Sequence, residues 1–429
     1  MNSSPFIQRR ARLLEIIDDG VAVIPTAPER LRNRDNPYPY RPDSYFWYLT
    51  GFPEPEAALV LAGGRSILFC RPRDETREIW NGFRHGPDAA REHFGFDEAY
   101  PITELETRLP DLIAGCPCLW QGMGYDTEND ARIIRALNTV RARTRAGKQA
   151  PPVIYDLRRT LDEMRLVKDD AEQEIMRQAA AITVAGHRQA MRNCRPGDLE
   201  YTLEAELAAV FRRRGASGHA YGPIVASSEN ACILHYPDND HLLEDGALVL
   251  IDAGCEWQCY AADITRTFPV NGRFTETQRA CYEIVLAAQT AAIAAIRPGI
   301  PCDTPHQAAV RVLTQGMKDL RLLEGDLDNL IESGAYARFY MHNTSHWLGL
   351  DVHDAGDYKE GDAWRPLRAG MALTVEPGLY IRPAPDVPES LRGIGIRIED
   401  DVFVTPEGCE IYTDAPKTVA EIETLMRGD

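Results

Sequence analysis

The sequence predicts an α+β fold in two domains, a smaller α/β domain over residues 1–160 and a larger domain over residues 161–429. The first observation is length, because 429 residues at roughly 150 residues per domain correspond to two or three domains. The second is a mixture of short strand-like runs and helical stretches in the first third of the chain. The third is an order of helices, strands, helices and strands in the remainder, which favours a duplicated α+β unit.

Composition and charge restrict the class of partner. Hydrophobic residues make up 44% and charged residues 26% of the chain, which is typical of a globular protein and excludes a disordered or fibrous one. The net charge of −18 repels nucleic acid and anionic lipid, and it attracts divalent cations or a substrate ammonium group. No run of about 18 apolar residues predicts a membrane span. Arg9 and Arg10 precede any apolar segment long enough for a secretory signal.

The ten cysteines are scattered along the chain without paired CxxC motifs. A secreted disulfide framework or a zinc site would show regular cysteine spacing. We therefore expect structural thiols, no structural zinc and a cytoplasmic protein.

In the smaller domain the apolar runs VAVIP, AALVLAGG and SILFCRP predict strands. The segment YFWYLTGF also predicts a strand, within a dense group of aromatic residues at Tyr38, Tyr40, Tyr45, Phe46, Trp47 and Tyr48. Because a strand buried on one face hides only alternate side chains, some of these rings are predicted to contact another surface. The Pro-rich basic stretch RARTRAGKQAPPVIYD predicts a linker to the second domain.

The larger domain begins with two predicted amphipathic helices. The first begins near Asp169 and ends near Asn193, and the second has Asp198 as its predicted N-cap and ends at Gly215. Further helices are predicted over 275–296 and 303–322, and strands over 247–254, 262–270, 372–381 and 393–404.

Two aspartates are the first candidates for chemistry. Asp252 ends one predicted strand and Asp263 lies on the next, eleven residues later, so a hairpin would bring the two carboxylates face to face. Two anions held close in an apolar setting repel each other unless a proton or a cation lies between them. The alternative is that both are ordinary aspartates of turns at strand ends.

His342, His346 and His353 form a second cluster within twelve residues. Their segment lacks the HExxH motif, which excludes a zincin-type site. Each of these histidines is either a functional group or a hydrogen-bonded core residue, and the cluster favours the first interpretation.

Two glutamates interrupt predicted strands. Glu376 lies in MALTVEPGLY, where an unpaired carboxylate is costly to bury. In GIGIRIEDD, Arg397 and Glu399 share one face of the strand. The arginine alone could therefore be the structural partner of Glu399.

The combined set of two aspartates, one histidine and two glutamates suits divalent ions. Oxygen-rich ligation with a single imidazole is typical of hard or borderline cations, and it contains no thiolate that would favour structural zinc. Four carboxylates and one hydroxide carry five negative charges, which nearly balance the four positive charges of two divalent ions. The composition of the set therefore favours two ions over one.

Several stretches resemble the Xaa-Pro aminopeptidases (aminopeptidase P), a family of pita-bread metallopeptidases. In the larger domain they are ILHY (233–236), LVLIDAGCE (248–256), YAADITRTFPVNG (260–272), HNTSHWLGLDVHDAG (342–356), LTVEPGLYI (373–381) and GIGIRIEDD (393–401). In the smaller domain they are YPYRPDSYFWYLTGFPEPEA (38–57) and REIWNG (77–82). The resemblance spans nearly the whole chain. It implies a pita-bread catalytic domain with duplicated helix and strand halves, preceded by the smaller α/β domain.

The resemblance implies a site for two divalent metal ions, usually manganese in this family. The implied metal ligands are Asp252, Asp263, His346, Glu376 and Glu399. Asp263 and Glu399 would bridge the two ions, and Glu376 would also take the proton from the attacking water. Hydroxide shared by the ions would then hydrolyse the bond between an N-terminal residue and a following proline, so the implied partners are peptides with proline at the second position.

Further catalytic residues are implied around the metals. His235, His342 and His353 resemble histidines that line the family's substrate cleft and stabilise the tetrahedral intermediate. Tyr380 and Arg397 match residues that support these histidines.

Two residues match positions that bind substrate in the family. Tyr221 matches a tyrosine beside the metals, although the following Gly222 and Pro223 depart from the polar pair expected there. Trp80 matches a tryptophan at the edge of the active site. Family members assemble as homodimers or homotetramers, so we expect the smaller domain to form oligomer contacts and part of a substrate cleft.

Other members of the same fold remain as alternatives. A prolidase has the same ligand set but prefers Xaa-Pro dipeptides. Methionine aminopeptidase lacks the long N-terminal domain, and creatinase lacks the full ligand set. A metal-free pita-bread module that only binds peptides would typically have lost ligands, whereas all five are present here.

Overall fold

The computed structural model describes residues 4–428. The chain divides into two compact units, one ending at Met164 and the other beginning at Arg165. None of the helices among the described residues is both long and apolar enough to cross a membrane. All ten cysteines are free, as their spacing predicts.

The N-terminal unit is an α/β arrangement built on one main sheet. Its helices are α1 (Pro5–Ile17), α2 (Ser44–Thr50), α3 (Glu75–Asn81), α4 (Gly86–Phe94), α5 (Leu105–Ile113), α6 (Thr127–Ala142) and α7 (Leu157–Leu166), the last of which contains the boundary between the units. Its strands are β1 (Val21–Pro25), β2 (Leu31–Asn33), β3 (Asn36–Pro37), β4 (Ala58–Ala62), β5 (Arg65–Cys70), β6 (Glu98–Pro101), β7 (Cys118–Gln121) and β8 (Val153–Asp156). The main sheet has the order β6–β5–β4–β1–β7–β8. Strands β1, β4 and β5 confirm the three predicted apolar strands, and they are largely buried.

The prediction of a strand for YFWYLTGF is wrong, because this segment forms helix α2. The Asp43 side chain caps the helix by accepting hydrogen bonds from the backbone N–H groups of Tyr45 and Phe46, at 2.9 and 3.0 Å. Gly51 ends it in the left-handed conformation, with φ of 61°. Local capping at both ends therefore outweighs the β-propensity of the aromatic residues.

The predicted linker is also wrong. The end of RARTRAGKQAPPVIYD is strand β8, which pairs in parallel with β7, with Val153 opposite Cys118 and Tyr155 opposite Trp120. The rings of Trp120 and Tyr155 stack with centroids 4.5 Å apart. The β-branched and aromatic residues after the two prolines therefore add a strand to the edge of the sheet.

The C-terminal unit alternates groups of helices with groups of strands in the predicted order, and it ends in a further helix. Its helices are α8 (Asp170–Asn193), α9 (Glu200–Arg213), α10 (Glu276–Ala295), α11 (Thr304–Asp319), α12 (Leu327–Glu332) and α13 (Val419–Arg427). Its strands up to α10 are β9 (Gly218–His219), β10 (Ile224–Ser227), β11 (Leu248–Asp252), β12 (Cys255–Trp257), β13 (Tyr260–Ala261) and β14 (Thr265–Pro269). Those after α12 are β15 (Lys359–Glu360), β16 (Ala363–Trp364), β17 (Ala372–Val375), β18 (Gly378–Ile381), β19 (Ile394–Arg397), β20 (Asp400–Val404) and β21 (Cys409–Ile411).

Capping explains why the long helices begin where they do. Asp169 and Glu172 form a capping box at the start of α8, and Thr275 and Gln278 form one at the start of α10. The predicted N-cap of α9 is displaced by one residue, because the helix begins after Leu199 rather than after Asp198.

The strands of the C-terminal unit form small antiparallel groups, with the orders β10–β11–β14, β13–β12–β9, β17–β20–β21 and β18–β19. Large apolar side chains from helices and strands fill one core, including Phe211, Phe268, Tyr282, Trp347 and Tyr380. The strands of two groups, β11–β14 and β17–β20, end close to one another in the polar centre described next.

Candidate active site

The two aspartates lie where β11 and β14 meet. Asp252 is the last residue of β11, and it lies opposite Thr265 in the ladder with β14. Asp263 comes two residues before β14, so the prediction that it lies on this strand is wrong. A Cβ atom at Gly254 would lie 1.6 Å from the carbonyl oxygen of Ala262. Glycine therefore allows the segments that carry the two carboxylates to approach closely.

The two glutamates lie at the ends of strands in the second half of the C-terminal unit. Glu376 comes directly after β17, and Glu399 separates β19 from β20. His346 is fixed beside β17, because its backbone N–H donates to Thr374 Oγ1 at 3.2 Å and its carbonyl accepts from the Thr374 N–H at 3.0 Å. Interruption of the ladder at these points frees the carboxylates to turn towards one centre.

Asp263, His346 and Glu399 each offer a ligand atom within 4.8 Å of the others. Nε2 of His346 is 3.5 Å from Asp263 Oδ2 and 3.7 Å from Glu376 Oε1. Nδ1 of the same ring is 3.0 Å from the carbonyl oxygen of Trp347, which can only accept a hydrogen bond. The proton on Nδ1 leaves Nε2 directed at the carboxylates, as in histidines that bind metal.

Asp252 joins the group through two hydrogen bonds. Arg397 Nη2 donates to its Oδ2 at 2.6 Å, and the Tyr221 hydroxyl lies 2.6 Å from its Oδ1. The same hydroxyl also contacts Asp263 Oδ1. Because a tyrosine has one hydroxyl proton, it can satisfy only one of the two carboxylates at a time.

Tyr380 connects Arg397 to His342 behind the carboxylates. Its hydroxyl accepts from Arg397 Nη1 at 3.0 Å and lies 2.8 Å from His342 Nε2. Nδ1 of His342 is 2.8 Å from the Asn343 carbonyl oxygen, so this nitrogen carries the proton and Nε2 accepts from Tyr380. Burial lowers the pKa of His342 to about 4, which agrees with a neutral ring.

The remaining histidines face the same cavity, which has a volume of about 1430 Å³. The rings of His346 and His353 meet edge to face with centroids 4.4 Å apart. The predicted site residues that line the cavity are Tyr221, His235, Asp252, Asp263, His342, His346, His353, Glu376, Arg397 and Glu399. Tyr380 is fully buried behind this surface, and Trp80 lies on α3 of the N-terminal unit with 83% of its surface exposed.

Burial and mutual repulsion raise the pKa values of three of the clustered carboxyl groups, those of Glu376, Asp263 and Glu399. The pKa of Glu376 rises to about 8, mainly through burial and further through Asp263 and Asp252. The pKa values of Asp263 and Glu399 rise for the same reasons. Burial lowers the pKa of His346, but Asp263 and Glu376 outweigh that effect and bring it to about 9. The centre therefore has a shortage of positive charge.

The donor set fits divalent cations. Four carboxylates and the His346 ring face one cavity, and the raised pKa values of Asp263, Glu376 and Glu399 indicate that these carboxylates lack sufficient counter-charge when ionised. Cations at this position would favour the ionised carboxylates and the neutral imidazole. Oxygen-rich ligation with one imidazole is the chemistry of hard or borderline divalent ions.

Sequence reasoning missed two residues that hold the cluster together. Thr265 Oγ1 donates to Glu399 Oε2 at 2.6 Å and accepts from Arg397 Nε at 3.1 Å. The carboxylate of Asp401 accepts the backbone N–H of Asp263 at 3.0 Å. In the sequence, each of these residues lies two positions from a candidate ligand. This spacing was the available signal, and it does not reveal a hydrogen bond.

The far parts of the cavity wall were missed as well. They include Glu204, Asn239, Asp303, His306, Tyr358 and Trp364. Most of these residues are far from the candidate ligands in sequence, so no local pattern indicates that they face the same space.

Comparisons with known proteins agree with this geometry. Residues 174–406 match the model of metallopeptidase family M24, and residues 6–120 match that of the aminopeptidase P N-terminal domain. The chain is 47% identical to the Xaa-Pro aminopeptidase of Escherichia coli over 428 residues, which cover 98% of this chain and 97% of the relative. It is 36% identical to the Xaa-Pro aminopeptidase 3 of Homo sapiens, over 97% of this chain and 84% of the relative.

Solved structures give the same result. The aminopeptidase PepP of Pseudomonas aeruginosa superposes with a TM-score of 0.98 at 50% identity, covering 100% of this chain and 98% of that chain. A substituted form of Escherichia coli aminopeptidase P in complex with substrate superposes with a TM-score of 0.96 at 46% identity, covering 99% of this chain and 98% of that chain. These matches include both units and confirm the expected pita-bread fold with its N-terminal α/β domain. The chain belongs to metallopeptidase family M24 and, within it, to the Xaa-Pro aminopeptidases.

Proposed function

We propose that this chain removes the N-terminal residue from peptides with proline at the second position. It uses two divalent ions, and manganese is the proposed metal. Metal-dependent Xaa-Pro aminopeptidase activity agrees with the family of the chain. The observation that carries the proposal is the convergence of four carboxylates and one imidazole on a single cavity, with too little positive charge to balance them.

The proposed metal ligands are Asp252, Asp263, His346, Glu376 and Glu399. Asp263, Glu399 and His346 would hold the ions together, because one ligand atom of each lies within 4.8 Å of the others. When bound, such ions lower the pKa of a shared water to near neutrality and polarise the scissile carbonyl.

Glu376 is the proposed general base. Its carboxylate lines the cavity, with Oε1 3.7 Å from His346 Nε2, and cations bound beside it would keep it ionised and able to accept a proton. In the ionised form Glu376 accepts a proton from the attacking water. It then returns that proton to the proline nitrogen as the peptide bond breaks, which allows the ring nitrogen to leave as an amine.

The surrounding residues orient the substrate. His353 and His235 line the cavity and are proposed to donate to the oxygen of the tetrahedral intermediate. His342 already uses both ring nitrogens, one on Tyr380 and one on a backbone carbonyl. Its proposed role is therefore to shape the cleft wall, held in place by Tyr380 and Arg397.

The acidic centre also explains why cleavage occurs after one residue. The α-ammonium group of a peptide is attracted to the carboxylate of Asp252, beside the Tyr221 hydroxyl. The first carbonyl group of the peptide then lies at the reacting position. Tyr221 is accordingly proposed to contact substrate, and the neighbouring Gly222 and Pro223 leave its surroundings open.

The N-terminal unit is proposed to form oligomer contacts in a homodimer or homotetramer. Three large apolar side chains are strongly exposed on or just after α3: Ile79 at 82%, Trp80 at 83% and Phe83 at 61%. Side chains of this type on a surface are typical of protein interfaces. We propose that Trp80 thereby contributes to the substrate cleft of a neighbouring subunit. The ten free thiols favour a cytoplasmic location.

Two other functions remain as test outcomes. A prolidase would use the same ligands on Xaa-Pro dipeptides, and a metal-free module would bind peptides without cleaving them. The complete ligand set favours an enzyme over the module. Less than about one ion per chain after purification with manganese would instead favour the module.

The decisive experiment is a peptide-cleavage panel with and without added Mn²⁺, read by mass spectrometry. We expect loss of the first residue only from peptides with proline second, and only when the protein is metal-loaded. Loss of residues from peptides without proline at that position would contradict the proposed specificity.

A further inference from the structure

The loop from Trp347 to Asp354 follows the proposed ligand His346 and carries His353 next to its end. A backbone hydrogen bond closes it, because the N–H of Asp354 donates to the carbonyl oxygen of Trp347 at 2.9 Å. With the loop closed in this way, the ring centroids of His346 and His353 are 4.4 Å apart. The position of His353 therefore depends on what holds the end of the loop.

A buried ion cluster holds that end. Arg165 Nη2 lies 2.5 Å from Asp354 Oδ1, and Lys168 Nζ lies 2.8 Å from Asp354 Oδ2. The side chains of Arg165, Lys168 and Asp354 are 2%, 1% and 1% exposed. Arg165 also reaches Asp351 Oδ2 at 2.7 Å, and the Asp351 N–H donates to Asp354 Oδ1 at 3.2 Å. One carboxylate thus binds two cations and one backbone group.

The packing around the cluster leaves the loop little freedom. A Cβ atom at Gly349 would lie 2.3 Å from Asp354 Oδ2 and 2.9 Å from Lys168 Cε. Lys168 is itself fixed, since its backbone N–H donates to the Gly370 carbonyl oxygen at 2.8 Å. The loop backbone therefore lies directly on the ion cluster.

The charges of the cluster balance, with two cations against Asp354 and Asp351. Burial raises the pKa of the Asp354 carboxyl, but Lys168 and Arg165 outweigh that effect and lower it overall. Apolar residues of similar volume often stabilise a protein as well as a buried ion pair does. Stability alone therefore does not explain why the ion cluster is present. The fixed geometry that the cluster gives to the end of this loop does explain it.

We propose that Asp354 is a positioning residue for catalysis. Held by Arg165 and Lys168, it fixes the loop in the conformation that directs His353 at the substrate carbonyl. This inference rests on the proposed function, in which His353 stabilises the tetrahedral intermediate. Asp354 touches neither substrate nor metal in this role and acts only through His353.

A double-mutant cycle tests the inference on the full-length, manganese-loaded protein. The variants are Asp354→Asn, His353→Ala and the double variant, with kcat and KM measured on an Xaa-Pro tripeptide. If Asp354 acts through His353, Asp354→Asn lowers kcat by about tenfold with a smaller change in KM. The double variant then has nearly the same kcat as His353→Ala alone, because the two changes remove one interaction.

Controls separate this role from a loss of stability. Tyr282→Phe removes a hydroxyl that donates to the Lys417 carbonyl oxygen at 2.8 Å in the same unit, and it is expected to lower Tm without changing kcat. If Asp354→Asn does not fold, Lys168→Met replaces it in the cycle, since the Arg165–Asp354 pair remains. The inference would be overturned if the two reductions in kcat multiply in the double variant, or if Asp354→Asn leaves kcat unchanged. Absence of any cleavage by the wild-type protein would instead contradict the proposed function.

Discussion

At the residue scale, Glu376 combines two properties that a general base needs. Its carboxylate lies beside the proposed ligand His346 and lines the substrate cavity. Glu376→Gln keeps the shape of the side chain but removes its ability to accept a proton. We expect a folded protein whose kcat falls by at least about a hundredfold.

The matched control for this prediction is Glu407→Gln, which changes an exposed glutamate after β20. We expect wild-type kcat for it. Circular dichroism and the thermal midpoint of each variant show whether the fold is intact. Turnover of Glu376→Gln close to that of the wild type would remove the proposed role of Glu376.

The pKa shifts of the cluster predict how stability depends on pH when metal is removed. In the metal-free protein the pKa of Glu376 is raised to about 8 and that of His346 to about 9. A group whose pKa is higher in the folded state binds more protons there, so its stabilising contribution is lost as pH rises through the folded value. The free energy of unfolding should therefore fall from about pH 5 to pH 9, by at most about 1.4 kcal/mol per unit of pKa difference.

Urea unfolding at pH 5.5 and pH 8.5 measures this dependence, first after chelation and then after reloading with manganese. These pH values lie on either side of the raised pKa of Glu376. Because cations bind the ionised carboxylates, reloading should stabilise the protein more at the higher pH. A metal-free protein that becomes more stable between these two pH values would contradict the proposed charge imbalance.

Single residues also show what the sequence could and could not predict about the site. Asp252, Glu376 and Glu399 are visible in the sequence because Asp252 ends a predicted apolar strand and the two glutamates interrupt such strands. The structure brings them to one cavity. The hydrogen bond from Thr265 to Glu399 was not predictable, because it crosses between β14 and β19–β20 and depends on register and side-chain rotamer.

At the scale of elements, capping boxes predicted the long helices, whereas an overlooked local cap and a non-local strand pairing caused the two errors. Helices α8 and α10 carry capping boxes in the sequence, and both were predicted to within a residue or two. Helix α2 was mistaken for a strand, because aromatic composition does not reveal an Asp43 cap. Strand β8 was mistaken for a linker, because its pairing partner β7 lies more than thirty residues away.

Gly254 allows a prediction about the β11–β14 element pair. An alanine Cβ there would lie 1.6 Å from the Ala262 carbonyl oxygen, so the backbone between Asp252 and Asp263 must separate. We expect Gly254→Ala to lower the Tm by several degrees and to reduce the bound metal, since strain and displaced ligands act together. Metal content by elemental analysis and thermal unfolding measure the two effects.

Gly408→Ala is the control for this prediction, because its Cβ would meet only one atom at 3.9 Å and its φ is not positive. It should leave the Tm and metal content unchanged. Full metal occupancy in Gly254→Ala would show that the two carboxylates do not depend on this close approach.

At the scale of the whole molecule, the exposed apolar residues of the N-terminal unit predict self-association. The double variant Ile79→Ser and Phe83→Ser removes two exposed apolar side chains and leaves Trp80 in place. We expect its mass by light scattering to fall towards that of a monomer. The control Tyr201→Ser changes a side chain that is 50% exposed on α9, and this variant should keep the wild-type mass. An unchanged mass in the double variant would contradict the proposed interface.

The charged residues that line the cavity bear on the choice between aminopeptidase and prolidase. A strict dipeptidase must bind the carboxylate that follows proline, and arginine does this best because its two-pronged group binds both oxygens. Of the lysines and arginines among residues 4–428, Arg397 and Lys359 line the cavity. Arg397 is already bound to Asp252.

Two arginines near the proposed ligands in sequence, Arg382 and Arg392, bind backbone carbonyl groups. Arg382 Nη2 donates to the Cys232 carbonyl oxygen at 3.3 Å, and Arg392 Nε donates to that of Val387 at 2.9 Å. Lys359 lies over the ring of Trp364, 4.7 Å from its centroid, and a single ammonium group fixes a carboxylate less strictly than an arginine. This part of the cavity wall therefore offers aromatic contact without a bidentate site for a chain end.

This arrangement predicts that peptides of three or more residues are better substrates than Xaa-Pro dipeptides. An aromatic wall stabilises a passing chain of varied sequence through apolar contact, and we expect the residues after proline to make this contact. We expect kcat/KM for Ala-Pro-Ala to exceed that for Ala-Pro by at least about tenfold under the same metal loading, which corresponds to about 1.4 kcal/mol of transition-state binding. The variant Trp364→Ala should reduce the advantage of the tripeptide and leave the dipeptide rate nearly unchanged. If the dipeptide is instead the better substrate by the same factor, the chain acts as a prolidase, and Lys359→Met should then weaken dipeptide binding.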